Sequence, residues 1–291
     1  QISGDRLTII PHEYPDLDAI TAAWFVRMHA LEERVRKTHQ LWAEYVCRID
    51  QGHTTLNPSQ PVTPYSLFMM RMHQLRNERT TSKGMLLAGF EFLEKVLGWM
   101  EQGGDPSSPD ADALTRLFPA EAKAVVEDLA LYNQDLKRAE KLECTLPIKN
   151  GSGSRKVPGL WIEKPESAMF KSWARGDRER AGNDHGFVFL GVQVGDQRFI
   201  LSVDPASDVY LKGLGAALEE AEVVKRKKLG LERVGENRPG YDSPDPWYDG
   251  RSPLHNYTII DSPRCGTVLR AEEVRQLFQH WMAGIKTERP V

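Results

Sequence analysis

Apolar positions in the first half of the chain recur at helical spacing. From residue 17 to 39, Trp24, Val26, Met28, Leu31 and Val35 form an apolar side, opposite Glu32, Glu33, Arg34, Arg36 and Lys37. That pattern predicts one long helix. Met85, Leu86, Leu87, Phe90, Phe92, Leu93, Val96 and Leu97 predict another, and helix signals resume from Pro119 to about Lys141. Two short apolar runs, Leu7-Thr8-Ile9-Ile10 and Tyr45-Val46-Cys47-Arg48-Ile49, read as strands. The second half alternates differently. Residues 187–193 and 198–203 flank a Gly195-Asp196 turn and predict a β-hairpin. Asp208 is placed to cap a helix from Val209 to Leu229, with Leu211, Leu214, Ala217, Leu218 and Ala221 on one face. Residues 256–261 read as a strand. A last helix, from about Arg270 to Gly284, offers Val274, Leu277, Phe278 and Trp281 to a core.

Polar stretches punctuate these elements at 54–66, 103–110 and 149–156. The last is rich in glycine and serine and reads as a domain boundary or mobile loop. A 291-residue chain suffices for one large or two medium domains. With 40% hydrophobic and 27% charged residues, the composition is that of an ordinary soluble protein. A net charge of −3 argues against general attraction to nucleic acid or a membrane surface. No apolar run approaches bilayer-spanning length. Cys47, Cys144 and Cys265 are odd in number and far apart, which predicts a reducing, cytoplasmic setting without a disulfide framework. Gln at position 1 leads us to expect processing or trimming ahead of it.

The densest chemistry lies at His12-Glu13-Tyr14-Pro15-Asp16-Leu17-Asp18-Ala19. An apolar run precedes it and a small-then-apolar helix start follows, so it reads as a loop between strand and helix. In an open α/β sheet such a loop sits at the carboxyl end of a strand, where ligands bind. Imidazole and carboxylate ligands suit Mn, Mg or Zn. Asp16 and Asp18 are equally placed to cap the helix. The spelling His-x-x-Pro-Asp-x-Asp-Ala resembles the first motif of the DHH phosphoesterase superfamily, which includes family II inorganic pyrophosphatases, oligonucleotide phosphodiesterases and exopolyphosphatases.

That resemblance covers roughly the chain before residue 149. It implies an α/β fold: a parallel-sheet DHH-like domain over 1–148, followed by a smaller α+β domain over 155–291. It implies a metal site, with His12, Asp16 and Asp18 as ligands. Asp50, after the second expected strand, would supply the bridging carboxylate, and either Asp128 or Asp135 the last one. Mn2+ or Mg2+ is the expected ion, and a phosphorylated small molecule or short oligonucleotide the expected substrate.

The third family motif, Asp-His-His, departs from the pattern. The chain has Arg71-Met72-His73 there. Met is a poor ligand for hard cations, and Arg brings positive charge in place of a carboxylate. Arg71 and His73 would then meet the phosphate. The Thr80-Thr81-Ser82 helix start, with Arg76, Arg79 and Lys83 beside it, offers N–H groups and charge for an anion. A capped helix with a solvated basic turn explains the same residues. Arg251 and Arg264 are placed to clamp a phosphate or carboxylate, or to anchor loops.

The stretch 238–251 is rich in proline and polar residues, yet carries Tyr241, Trp247 and Tyr248. These rings require a surface: their own domain, the first domain or a partner. Two readings follow. One is a metal-dependent phosphoesterase acting on a nucleotide, short oligonucleotide or pyrophosphate. The other is a catalytically degenerate member that binds an anionic ligand, or a protein partner through the 241–251 loop. Homodimerisation is compatible with both. No repeat, Gly-x-x-x-x-Gly-Lys-Ser/Thr loop, nucleophile elbow or zinc-finger spacing is present.

Overall fold

A computed structural model describes residues 15–53, 56–149, 151, 153–233, 235, 241, 244–252 and 255–285. Among them the fold is mixed α/β, with ten helices and one five-stranded sheet. The chain divides into two compact units, Gln1–Leu131 and Tyr132–Val291.

The described part of the first unit is helical: α1 (Leu17–Ala30), α2 (Lys37–Asp50), α3 (Pro64–Asn77), α4 (Ser82–Glu101), α5 (Ala111–Leu117) and the start of α6 (Pro119–Arg138). The parallel sheet expected there is not found among the described residues. Leu7–Ile10 lie outside them, and the second expected strand, Tyr45–Ile49, is the C-terminal half of α2. A five-residue apolar run cannot separate strand from helix. The wider spacing of His39, Trp42, Tyr45 and Val46 is helical, and all four are buried.

The single helix expected over 17–39 is two. Glu32 adopts a left-handed φ of 56°. Its N–H donates to the His29 carbonyl at 3.1 Å, and that of Glu33 to Met28 at 3.0 Å, the closing pattern of a helix C-terminus. Helix α1 packs on α2 and α4, and α3 on α4. Trp42 Nε1 donates to Thr21 Oγ1 at 3.1 Å inside this core. Phe92 stacks on Phe118 at 4.7 Å and meets Phe68 edge-on at 5.5 Å.

The second unit holds the sheet, in the order β1 (Glu140–Pro147), β2 (Ser154–Glu163), β3 (Phe189–Gly195), β4 (Arg198–Val203) and β5 (Ile259–Asp261). All neighbours are antiparallel except β2 and β3. That parallel pair needs a crossover, and α7 (Phe170–Gly176) and α8 (Arg178–Ala181) lie within it. The stretch 149–156, expected as a domain boundary or mobile loop, lies between and in two paired strands, Pro147 of β1 facing Ser154 of β2. The 187–203 hairpin forms as expected. Gly191 is needed in β3, since a Cβ there would lie 2.3 Å from the Trp161 ring.

Helices α9 (Leu214–Leu229) and α10 (Ala271–Ala283) pack on each other, and α10 also on β1. Helix α9 starts later than expected: Gly213, not Asp208, is its N-cap. Phe278 of α10 stacks on Phe189 at 4.3 Å. The 241–251 loop joins this core. Trp247 is 1% exposed, and its backbone N–H donates to Glu219 at 3.0 Å. Trp247 is thus core of its own unit and is not available to a protein partner as the expectation had it. No helix among the described residues is long and apolar enough to cross a membrane.

Candidate functional site

Helices α1 and α2 have fourteen residues each and are joined by a short loop. Each is therefore about 21 Å long, so the start of α1 comes back beside the end of α2. Three of the expected metal ligands collect there. Asp16 is the N-cap of α1, accepting from the Ala19 N–H at 3.3 Å, and Asp18 lies in the first turn. Asp50 is the last residue of α2.

All three side chains are exposed to solvent. Asp18 responds to the others. Partial burial, then the hydrogen bond and charge of Asp16, then the charge of Asp50, push its carboxyl up to about 6. Asp16 and Asp18 suit the positive end of α1, whereas Asp50 stands at the negative end of α2, where the peptide dipoles oppose a carboxylate. The result is an open, electronegative patch. His12, its expected imidazole, lies outside the described residues. Among those described, no group of three or more His, Cys, Asp or Glu is spaced to hold a metal.

Most of the other expected residues are engaged by partners of their own. Arg71 Nη1 contacts Glu121 at 2.8 Å and Nη2 contacts Glu91 at 3.3 Å, so two carboxylates take up its charge. Met72 is buried, and His73 Nε2 accepts from Asn77 at 3.0 Å. Positions 71 and 73 are two apart on α3, so they point to different sides. Asp128 is buried in the part of α6 belonging to the first unit. Asp135 belongs to the second, where it accepts from the Ser167 N–H at 2.8 Å and pairs with Arg138. Its fully buried carboxylate anchors a loop.

The Thr80–Ser82 region closes one helix and opens the next. Arg79 takes a left-handed φ of 55° as α3 ends. Thr81 caps α4, its hydroxyl accepting from the Gly84 N–H at 3.2 Å, and Ser82 is the first helical residue. The cap already occupies one of the N–H groups that an anion would use. Arg251 forms a two-pronged pair with Asp249, at 2.9 and 3.0 Å, and lies 4.2 Å over the Tyr241 ring. That pairing raises its pKa further and holds Asp249 below the usual carboxylate range despite partial burial. Arg264 is exposed, and its carbonyl accepts from Arg198 at 3.0 Å. Arg251 therefore anchors its loop through Asp249 and Tyr241.

The second unit also contains a polar pocket that sequence reasoning missed, lined by Lys171, Arg175, Ser202 and His255 among others. Its residues come from separate elements, and no local spacing announces them. Comparison of the chain with models of known protein families, and with curated proteins, finds no match.

Proposed function

We propose that the protein binds a divalent cation, Mn2+ or Mg2+, through Asp16, Asp18 and Asp50 with His12, and uses it to hydrolyse a phosphoester or phosphoanhydride, as its DHH-like spelling implies. What carries this reading is the placement of Asp16 and Asp18 in the opening turn of α1 and of Asp50 at the end of the adjoining α2, with the charges of Asp16 and Asp50 raising the Asp18 carboxyl. Hard carboxylate oxygens fit such an ion. A bound ion would supply charge to polarise a phosphoryl oxygen and lower the pKa of a water. The carboxylates position and balance that charge, and their solvent exposure gives substrate access.

Elemental analysis after Mn2+ loading tests it, with Asp16→Ala and Asp18→Ala as controls. Expected are one or two ions per chain, lost in both variants, and metal-dependent release of product from a panel of nucleotides, short oligonucleotides and pyrophosphate. No bound ion at millimolar Mn2+ would overturn the reading.

A second reading, a non-hydrolytic binding module on the same chain, draws support from α3. The ion pairs of Arg71 with Glu91 and Glu121, and the burial of Met72, leave no Asp-His-His chemistry there. Metal binding without turnover of any panel member would favour it.

A further inference from the structure

An open pocket of about 240 Å3 lies in the second unit. Lys171, Ser172 and Arg175 of α7, Ser202 of β4, and His255 and Thr258 from the segment before β5 line it. Lys171 and Arg175 are four apart, so they share one side of the helix.

Arg175 is held rigidly by uncharged acceptors. Its Nη1 donates to the carbonyls of Phe187, at 2.6 Å, and Val188. Its Nη2 donates to the Ser202 carbonyl at 3.0 Å and to Ser202 Oγ at 3.1 Å. Among the described residues neither Arg175 nor Lys171 forms a salt bridge, so both charges stay uncancelled at contact range. Crowding by protein pulls Arg175 down to about 10, opposed by the charge of Asp204. It stays a cation at neutral pH. Lys171 has an exposed side chain in a crowded mouth. Crowding lowers its pKa, the charge of Asp261 opposes this, and the charge of Arg175 adds to it. Asp204 is buried and accepts from the Ala206 N–H at 3.0 Å.

The two hydroxyls whose hydrogen bonds are defined differ in what they can offer a ligand. Ser202 Oγ accepts from Arg175, which leaves its own proton to donate. Thr258 Oγ1 donates to the His255 carbonyl and is occupied. With its terminal nitrogens engaged, Arg175 cannot grip a flat carboxylate in the two-pronged manner. It acts as fixed charge behind Ser202. Lys171 is a point charge, and Ser172 and His255 line the pocket from different elements. That arrangement suits the spread-out oxygens of a tetrahedral anion better than a planar one.

We propose that this pocket binds the phosphoryl group of a small molecule, gripped by Lys171, Ser172, Ser202 and His255 in front of Arg175. The volume takes the phosphoryl head, and the open mouth leaves room for whatever it is attached to. All of its lining residues belong to the second unit.

Titration calorimetry on the full chain tests this, with inorganic phosphate, glycerol phosphate and acetate as probes. Saturable binding of either phosphate, with acetate at least tenfold weaker, is expected. Tighter binding of glycerol phosphate than of inorganic phosphate identifies a phosphomonoester, and the reverse order identifies the free ion. Lys171→Gln should weaken phosphate binding by about tenfold, whereas Asp18→Ala should leave it unchanged. If Lys171→Gln does not fold, Asp261→Asn decides: removing the opposing carboxylate should tighten binding. Absence of saturable phosphate binding, equal affinity for acetate, or affinities unchanged in both pocket variants would overturn the proposal.

Discussion

The carboxylates at the head of α1 and the cations around α7 carry opposite charge and arise by opposite routes. Asp16 and Asp18 are neighbours in sequence, and a helical hairpin brings Asp50 to them. Lys171, Ser202 and His255 are brought together only by a β-sheet crossover and the long connection from β4 to β5 that includes α9. In the first patch, carboxylates of two helices meet at the surface, and the charges of Asp16 and Asp50 both raise the Asp18 carboxyl. In the second, Arg175 is locked by backbone carbonyls and Ser202. Like charges held close together raise the free energy of the folded chain, so an oppositely charged ligand favours each arrangement.

The largest expected effect separates core from site. Trp247→Ala should destabilise the second unit by about 3–5 kcal/mol, the usual loss for a buried aromatic side chain. Denaturant unfolding would read it, while Mn2+ binding at the first unit stays unchanged. An unaltered midpoint would mean that the 241–251 loop is not core. Next comes Arg71→Met, which leaves buried Glu121 without its cation. A loss of about 1–3 kcal/mol is expected, read in the same way. An increase in stability would show that the pair is poorly compensated.

The pH dependence sharpens the contrast further. Asp18 holds its proton more tightly in the folded chain, up to about 6, than the ordinary value near 3.8. Its protonation therefore favours the folded state below about pH 4, and that contribution is lost as pH rises through 6. Cation binding runs the other way, since the ion needs the carboxylate. Mn2+ affinity should fall as pH drops through 6, and added Mn2+ should raise thermal stability more at pH 7 than at pH 5. Asp18→Asn should remove both trends. Without metal at pH 7, it should stabilise the chain by a few tenths of a kcal/mol, about what solvent screening leaves of such a repulsion. A metal affinity flat from pH 5 to 7 would count against the patch as a cation site.

Arg251→Ala should cost less than about 1 kcal/mol, because half of the Arg251 side chain is in water and Asp249 keeps the Tyr241 hydroxyl as a donor. Phosphate binding at the Lys171 pocket should survive it, as a calorimetric titration would show. Loss of that binding would tie the loop to the pocket.

Long periodic helices were legible from sequence because a 3.6-residue rhythm needs only local residues to show itself. Helices α4, α6 and α10 lie close to where their apolar positions put them, and the β3–β4 hairpin follows from its turn. Where two local solutions compete, the pattern misleads. Tyr45–Ile49 looks like a strand until the residues before it are counted, and the helix over 17–39 hides the left-handed Glu32 that divides it.

Sequence alone determined that Asp16 and Asp18 share one turn beside a helix start, since their separation is covalent. Only the tertiary structure decided which charges remain available. It committed Arg71 to Glu91 and Glu121, Arg251 to Asp249 and Asp135 to Ser167. It left Lys171 facing an open pocket. The physical reason is that a charged side chain takes its meaning from partners that lie close in space, and all of these but Asp249 are tens of residues away along the chain.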